Sequence, residues 1–313
     1  MAGIRLSAGT RRLLVYLVVV SVVVLVADMA VGLVMRRLTD SGWLGSYHDM
    51  SYILDESTDR TVVFGSSVAQ VGIRPDIIES RVGGSCHNAA MGFQNMHYHL
   101  VMLQSLLKRH VPERVLLGID RPGMHMRGPG DNISVLYPFY GKGHAPVDSL
   151  LEIADPSNRW KLHFNMLRYN AGSLFKSFSV ATPDSLMYQG FVGRPPSPVP
   201  LAKARVEWRE GCAPDQLAAL ESFLSLCDSH DIQVSVFMPP TLTDDQEYAG
   251  ALDKRQIRDV CHRHGIEFLD YTADPEFRSH PEWFADHNHL SAAGASVFSR
   301  RLCMGNRADS VQK

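Results

Sequence analysis

Residues 13–35 form an almost unbroken apolar run, LLVYLVVVSVVVLVADMAVGLVM, bounded by Arg11-Arg12 and Arg36-Arg37. Nothing else in the chain restricts its architecture so strongly. At about 1.5 Å per residue a helix of this length reaches roughly 35 Å, enough to cross the hydrocarbon core of a bilayer. A cleaved signal peptide has a shorter apolar region that ends in a small-x-small cleavage site. Here the run continues past Ala27 through Ala30, Val31 and Leu33 with no clean site after it, so a retained anchor is expected. Arg5, Arg11, Arg12 and the amino terminus lie on one side and Arg36 and Arg37 on the other. By a narrow margin the positive-inside rule puts the N-terminus in the cytoplasm and the rest of the chain in the periplasm or outside the cell. Asp28 interrupts the run. A carboxylate there is costly unless it is protonated, near the interface or paired. Two readings stay open: interfacial placement in a tilted helix, or contact with a membrane partner.

The expected division is a tail over 1–12, the anchor over 13–35, a linker over 36–60, one domain over 61–305 and a tail over 306–313. In that domain short β-rich runs alternate with helical patterns. Strands are expected at 61–64, 85–89, 114–119, 232–238 and 265–271. Their continuous apolar character means burial on both faces, as in a parallel sheet covered by helices. Helices are expected at 75–81, 95–109, 214–229, 246–264 and 292–302, which gives a three-layer α/β domain with right-handed connections. Residues 121–211 break the rhythm; apart from one amphipathic stretch at 158–178 they read as an insertion near the strand ends, where α/β loops build binding sites.

Two segments carry chemistry. Val62-Val63-Phe64-Gly65-Ser66-Ser67-Val68 runs a buried strand into small residues, which leaves a hydroxyl exposed at the carboxyl end of the sheet. A nucleophilic serine needs that placement and nearby backbone N–H groups to hold an oxyanion; serine N-caps on an ordinary strand-to-helix turn are the plainer reading. Near the other end, Asp286-His287-Asn288-His289 precedes the last helix, so one loop can deliver an acid and a base. An Asp-x-x-His spacing is common in itself, and Asp259-Val260-Cys261-His262 repeats it within a helical pattern, where it reads as a solvated face.

In this order and at these ends of an α/β domain, the two segments resemble the SGNH (GDSL-like) hydrolase superfamily. That family's first block reads Gly-Asp-Ser-Leu, its last is Asp-x-x-His, and its fold is flavodoxin-like. Gly65-Ser66-Ser67-Val68 is similar to the first block with Ser66 in place of the Asp, which implies Ser67 as nucleophile; Asp286 and His289 match the last. The second block, an Asn followed by a Gly that donates an oxyanion N–H, is similar to Asn88-Ala89-Ala90-Met91-Gly92. The third, Gly-x-Asn-Asp, falls at Leu117-Gly118-Ile119-Asp120, where its Asn is missing. The resemblance therefore implies an oxyanion hole from the N–H groups of Ser67 and Gly92, with Asn88, Gln94 and Asp120 as candidate support. The Gly-Ser-Ser start, Gly92-Phe93-Gln94 and the N-terminal anchor are most similar to the membrane-anchored branch, which includes the teichoic-acid D-alanylation protein DltD and the alginate-acetylation proteins. The resemblance runs over roughly 61–303, and its first and last blocks are the specific ones.

It implies a membrane-anchored serine O-acyl esterase or O-acyltransferase, with acetyl the expected group, acting on a cell-envelope or exported polysaccharide through an acyl-enzyme. The bilayer and a multi-spanning acyltransferase are the implied partners. A non-catalytic domain of the same fold, binding glycan or organising a membrane acyl-transfer complex, is the second reading. His287 competes with His289 as base. No cofactor or metal is expected: the pairs His97/His99 and His262/His264 lie in helical patterns, where i and i+2 do not share a face. The formal net charge of -2 gives no footprint for nucleic acid. The five cysteines form no CxxC pair, and a Cys212–Cys227 disulfide is an open expectation for an exported domain.

Overall fold

The computed structural model describes residues 7–40, 45–169, 187–197, 211–242 and 252–308. The apolar run forms one helix, α1 (Ala8–Asp40), long and apolar enough to cross a membrane. The stretch expected as a linker instead holds α2 (Gly45–Ser51) and a π-helical turn, Tyr52–Glu56. Tyr47, Met50, Ile53 and Leu54 from these turns are buried in the main core, so part of the 36–60 segment belongs to the domain.

The strands are β1 (Thr61–Gly65), β2 (Cys86–Asn88), β3 (Arg114–Gly118), β4 (Met187–Tyr188), β5 (Phe191–Val192), β6 (Gln233–Met238) and β7 (Phe268–Asp270). β4 and β5 form an antiparallel hairpin; the others build one parallel sheet in the order β2-β1-β3-β6-β7. Counted within that sheet the order is 2-1-3-4-5, the flavodoxin-like arrangement. Successive side chains leave opposite faces of a strand, and the two cores follow that alternation. Val62, Phe64, Val115, Leu117 and Val236 face one core, while Val63, Leu116 and Phe237 face the other.

The second face is covered by α3 (Ser67–Gly72), α4 (Pro75–Val82) and the C-terminal α13 (Ala292–Ala308). The first is covered by α5 (Met96–Leu107), α10 (Pro214–Asp228) and α11 (Leu252–Arg263). α4 starts on Pro75, suited to a first helical position, and α5 is capped by Asn95, whose side chain accepts from the His97 N–H at 3.2 Å. The 121–211 segment opens with α6 (Arg121–His125) and a 3-10 turn, Asp131–Phe139. It continues with α7 (Ala145–Ala154), whose Val147, Leu150 and Leu151 pack into the first core. The 158–178 stretch is not one helix over its described part. It forms two short turns, α8 (Asn158–Lys161) and α9 (Asn165–Arg168), and 170–178 lie outside the described residues. α12 (Pro275–Ser279) precedes the final loop.

Asp28 has hydrogen-bond partners within its own chain. It is buried against its own chain, accepting from the Asn165 N–H at 3.0 Å, the Asn165 side-chain amide at 3.0 Å and the Met166 N–H at 2.8 Å. Cys212 and Cys227 are buried free thiols, so the disulfide does not form here.

Candidate active site

The sheet order reverses between β1 and β3, and in open α/β sheets the crevice beyond the carboxyl ends at such a point is where ligands bind. Ser67 follows β1 by two residues and opens α3. As a first-turn residue its N–H has no intrahelical acceptor. Two glycines let α3 lie close to the strands. A Cβ on Gly65 would stand 2.3 Å from the Gly118 carbonyl oxygen and 2.7 Å from Ala69 Cβ, and one on Gly118 would stand 2.7 Å from the same Ala69 Cβ. Gly65 also has φ 145°, a conformation that costs glycine little.

The other half of the site is the loop from Phe284 to Leu290, closed by a bridge between those two residues. Within it Ala285 N–H donates to the His289 carbonyl at 2.8 Å, and Asp286 Oδ1 accepts from the N–H groups of Asn288 and His289 at 2.9 Å each. The loop is pinned outside by Leu242 N–H to the His287 carbonyl (2.8 Å) and by Ser291 N–H to the Trp283 carbonyl (2.8 Å). Gly294 lets α13 begin there, because a Cβ would meet the Trp283 carbonyl oxygen at 2.1 Å.

These two halves meet. His289 Nε2 lies 2.8 Å from Ser67 Oγ, and His289 Nδ1 lies 2.9 Å from both carboxylate oxygens of Asp286. Burial works against ionising Asp286, but the hydrogen bonds from His289 and from the Asn288 N–H outweigh it and hold its pKa at about 2. The carboxylate fixes the imidazole with Nε2 toward the hydroxyl, which lets His289 accept the proton of Ser67. His287 does not line the cavity at Ser67, and the Asp259/His262 copy lies exposed on α11.

A cavity of about 260 Å³ opens beside Ser67 and His289, walled by Gln94, Asp120, Met238 and Thr272, with Phe93 at its edge. A Cβ on Gly92 would be 3.5 Å from Ser67 Cβ, so this backbone passes next to Ser67. Asn88 does not face the cavity. Its amide donates to the carbonyls of Ala69 (3.0 Å) and Ile73 (2.9 Å) and its oxygen accepts from Ala90 N–H (3.1 Å), which ties β2 to the end of α3. Gln94 lines the cavity and donates to the Asn132 carbonyl at 3.3 Å. Asp120 accepts from Ser66 Oγ at 2.6 Å and from Gly123 N–H at 2.9 Å, capping α6. Burial pushes the Asp120 carboxyl upward, with those hydrogen bonds opposing. Ser66 therefore gives its hydroxyl to Asp120 and makes no helix-capping bond.

Three features at the site were not among the candidate residues read from the sequence. Arg194 places Nη1 3.3 Å from Asp286 Oδ2, from a part of the 121–211 segment with no local signature. Arg121 borders the cavity but forms a buried bidentate pair with Asp253 at 2.7 and 2.9 Å. Phe93 is 74% exposed and has φ 63°, which is strained for a bulky residue. Among the described residues no group of three or more His, Cys, Asp or Glu is placed to hold a metal ion.

No protein-family model matches the chain, and no curated protein matches it. Solved structures similar to it include a GDSL-like lipase from Bacteroides thetaiotaomicron, at 10% identity and TM-score 0.40, covering 86% of this chain and 98% of that one. A candidate platelet activating factor from Streptococcus pneumonia matches at 13% identity and TM-score 0.39, covering 89% and 98%. A candidate acylhydrolase from Bacteroides fragilis matches at 12% and 0.39, covering 82% and 90%. At these scores the likeness carries no argument about chemistry, which rests on the side chains.

Proposed function

We propose that this chain is a membrane-anchored serine O-acyl esterase or O-acyltransferase of the SGNH type, acting on a cell-envelope or exported polysaccharide. The observation that carries the reading is the continuous set Ser67 Oγ–His289 Nε2 at 2.8 Å and His289 Nδ1–Asp286 at 2.9 Å. His289 takes the proton of Ser67 as Oγ attacks an ester carbonyl, and Asp286 supports the imidazolium that forms. The N–H groups of Ser67 and Gly92 receive the oxyanion. His289 returns the proton to the departing alcohol, leaving an acyl-Ser67 ester. Water or a sugar hydroxyl, deprotonated by His289, then attacks that ester, and His289 gives the proton to Ser67 Oγ as the acyl–oxygen bond breaks. Transfer is favoured over hydrolysis by α1, which would hold the site at the membrane beside a multi-spanning acyl donor.

Asp120 favours a second reading. It stands where a third oxyanion donor is expected, and it accepts hydrogen bonds there, so the domain could bind glycan or organise a complex without catalysis. Two measurements decide. Purified Ser67→Ala should lose turnover of an activated acetyl ester, and unchanged turnover would sink the assignment. A serine-directed phosphonate should label the native protein at Ser67; a folded sample that stays unlabelled points to the non-catalytic reading.

A further inference from the structure

Large apolar side chains exposed to water are costly in clusters, and such clusters mark contacts with proteins or membranes. One lies in α8, α9 and the turn between them. Trp160 is 72% exposed, Phe164 48%, Met166 48% and Leu167 47%. Arg159, Lys161 and Arg168 stand among them. Aromatic and aliphatic side chains interleaved with basic ones suit the boundary between headgroups and acyl chains.

The position of this cluster is fixed by α1. Asp28 takes the three hydrogen bonds from Asn165 and Met166 described above, at the start of α9. Gly32, one turn further on, makes room for the contact, since a Cβ there would come within 2.5 Å of Asn165 Cγ. The apolar surface of 160–167 therefore adjoins that of α1, whose Met29, Leu33 and Val34 are exposed as well. Asp28 lies about 10 Å along the helix before Met35, so α9 meets the anchor inside its apolar stretch. A carboxylate at that depth needs partners, and the backbone of α9 supplies them.

We propose that 158–168 is a second membrane-contacting element. It lies in the lipid interface beside α1 with Trp160, Phe164, Met166 and Leu167 toward the acyl chains, and it holds the domain at a set attitude to the bilayer. The proposal rests on the anchor reading of α1. Its occupant is lipid, since the cluster is continuous with the lipid-facing surface of the anchor.

The test uses the full chain in vesicles of phosphatidylcholine and phosphatidylglycerol, with no other protein. Nitroxide labels are placed singly at Trp160→Cys, Leu167→Cys, Val20→Cys within the anchor and Asp259→Cys on the exposed side of α11; the five native cysteines are buried. Labels at 160, 167 and 20 should be more accessible to oxygen than to a water-soluble nickel reagent, and the label at 259 the reverse. Adding Asp28→Ala should reduce the lipid signature at 160 and 167 and leave that at 20 unchanged. Aqueous labels at 160 and 167 with a lipid-exposed label at 20 would overturn the proposal, leaving a protein partner as the occupant of the patch. An aqueous label at 20 would overturn the anchor reading itself.

Discussion

Asp286 does two jobs that substitutions can separate. In the proposed mechanism its charge supports the imidazolium of His289, and its Oδ1 holds the loop through the N–H groups of Asn288 and His289. Asp286→Asn keeps an acceptor oxygen for the loop and removes the charge. Opposite charges about 4 Å apart are worth about 1 kcal/mol in water and about 4 kcal/mol at an effective dielectric of 20. The side chain is 44% exposed and shares Oδ2 with Arg194, so the lower part of that range applies. With 1.36 kcal/mol per tenfold in rate, Asp286→Asn should lower kcat/KM roughly 10- to 100-fold on an activated acetyl ester. Asp286→Ala also deprives two backbone N–H groups of their acceptor, and the loop should lose about 1–3 kcal/mol of stability. The two variants should therefore differ clearly in Tm, with the Asn variant between Asp286→Ala and the native protein. An Asn variant that retains the native kcat/KM would refute electrostatic support of His289 by this carboxylate. Equal Tm values for the two variants would refute its part in holding the loop.

Gly65→Ala forces a Cβ to 2.3 Å from the Gly118 carbonyl oxygen. Overpacking of this kind costs about 1–3 kcal/mol, so Tm in detergent should fall by roughly 2–12 °C, with turnover falling as Ser67 shifts from His289. Phe93→Gly should relieve the backbone strain at φ 63° and leave Tm equal or higher. If the exposed ring contacts substrate, KM should rise for a glycan acceptor and stay unchanged for a small ester, and identical KM values for both would exclude that role. The folded-state pKa of Asp286, about 2, lies below its ordinary 3.8, so its stabilising effect is present above about pH 4 and is lost as pH falls toward 2. Acid-unfolding curves of the native protein and Asp286→Asn should therefore converge between those values; curves that stay parallel there would contradict the depressed pKa.

β1 and β3 were legible because each carries a continuous apolar run ending at a glycine, a local pattern that burial on both faces imposes, whereas β2, Cys86-His87-Asn88, has no such run. Ser67, Asp286 and His289 were legible for a related reason: each stands beside a strand or helix end with its own local signature. Positions set by distant partners were not. The 36–60 stretch is short of strong periodicity, yet Tyr47, Ile53 and Leu54 are fixed by packing onto the sheet's helices. The 158–178 periodicity suggested one helix, but among the described residues its chain breaks between Lys161 and Asn165 as α9 turns to meet Asp28. Asn88 was expected to support the oxyanion hole, but its side chain ties α3 to β2 and does not line the cavity.

The departures at Ser66 and Asp120 look independent in the sequence, and the structure joins them. The carboxylate stands on the β3 side and the hydroxyl on the β1 side, the two meeting at 2.6 Å across the crevice. This bond links the residue just before Ser67 to the cap of α6, so it fixes the spacing of the two strand ends that frame the cavity. Ser66 and Asp120 therefore act as one pair, 54 positions apart in the chain. Asp120 Oδ1 and Oδ2 both accept hydrogen bonds, so in the proposed mechanism oxyanion stabilisation would fall on the backbone N–H groups at Ser67 and Gly92. A site built this way depends on close approach of backbone segments, which is why Gly65, Gly92 and Gly118 matter to it as much as the ionisable side chains do.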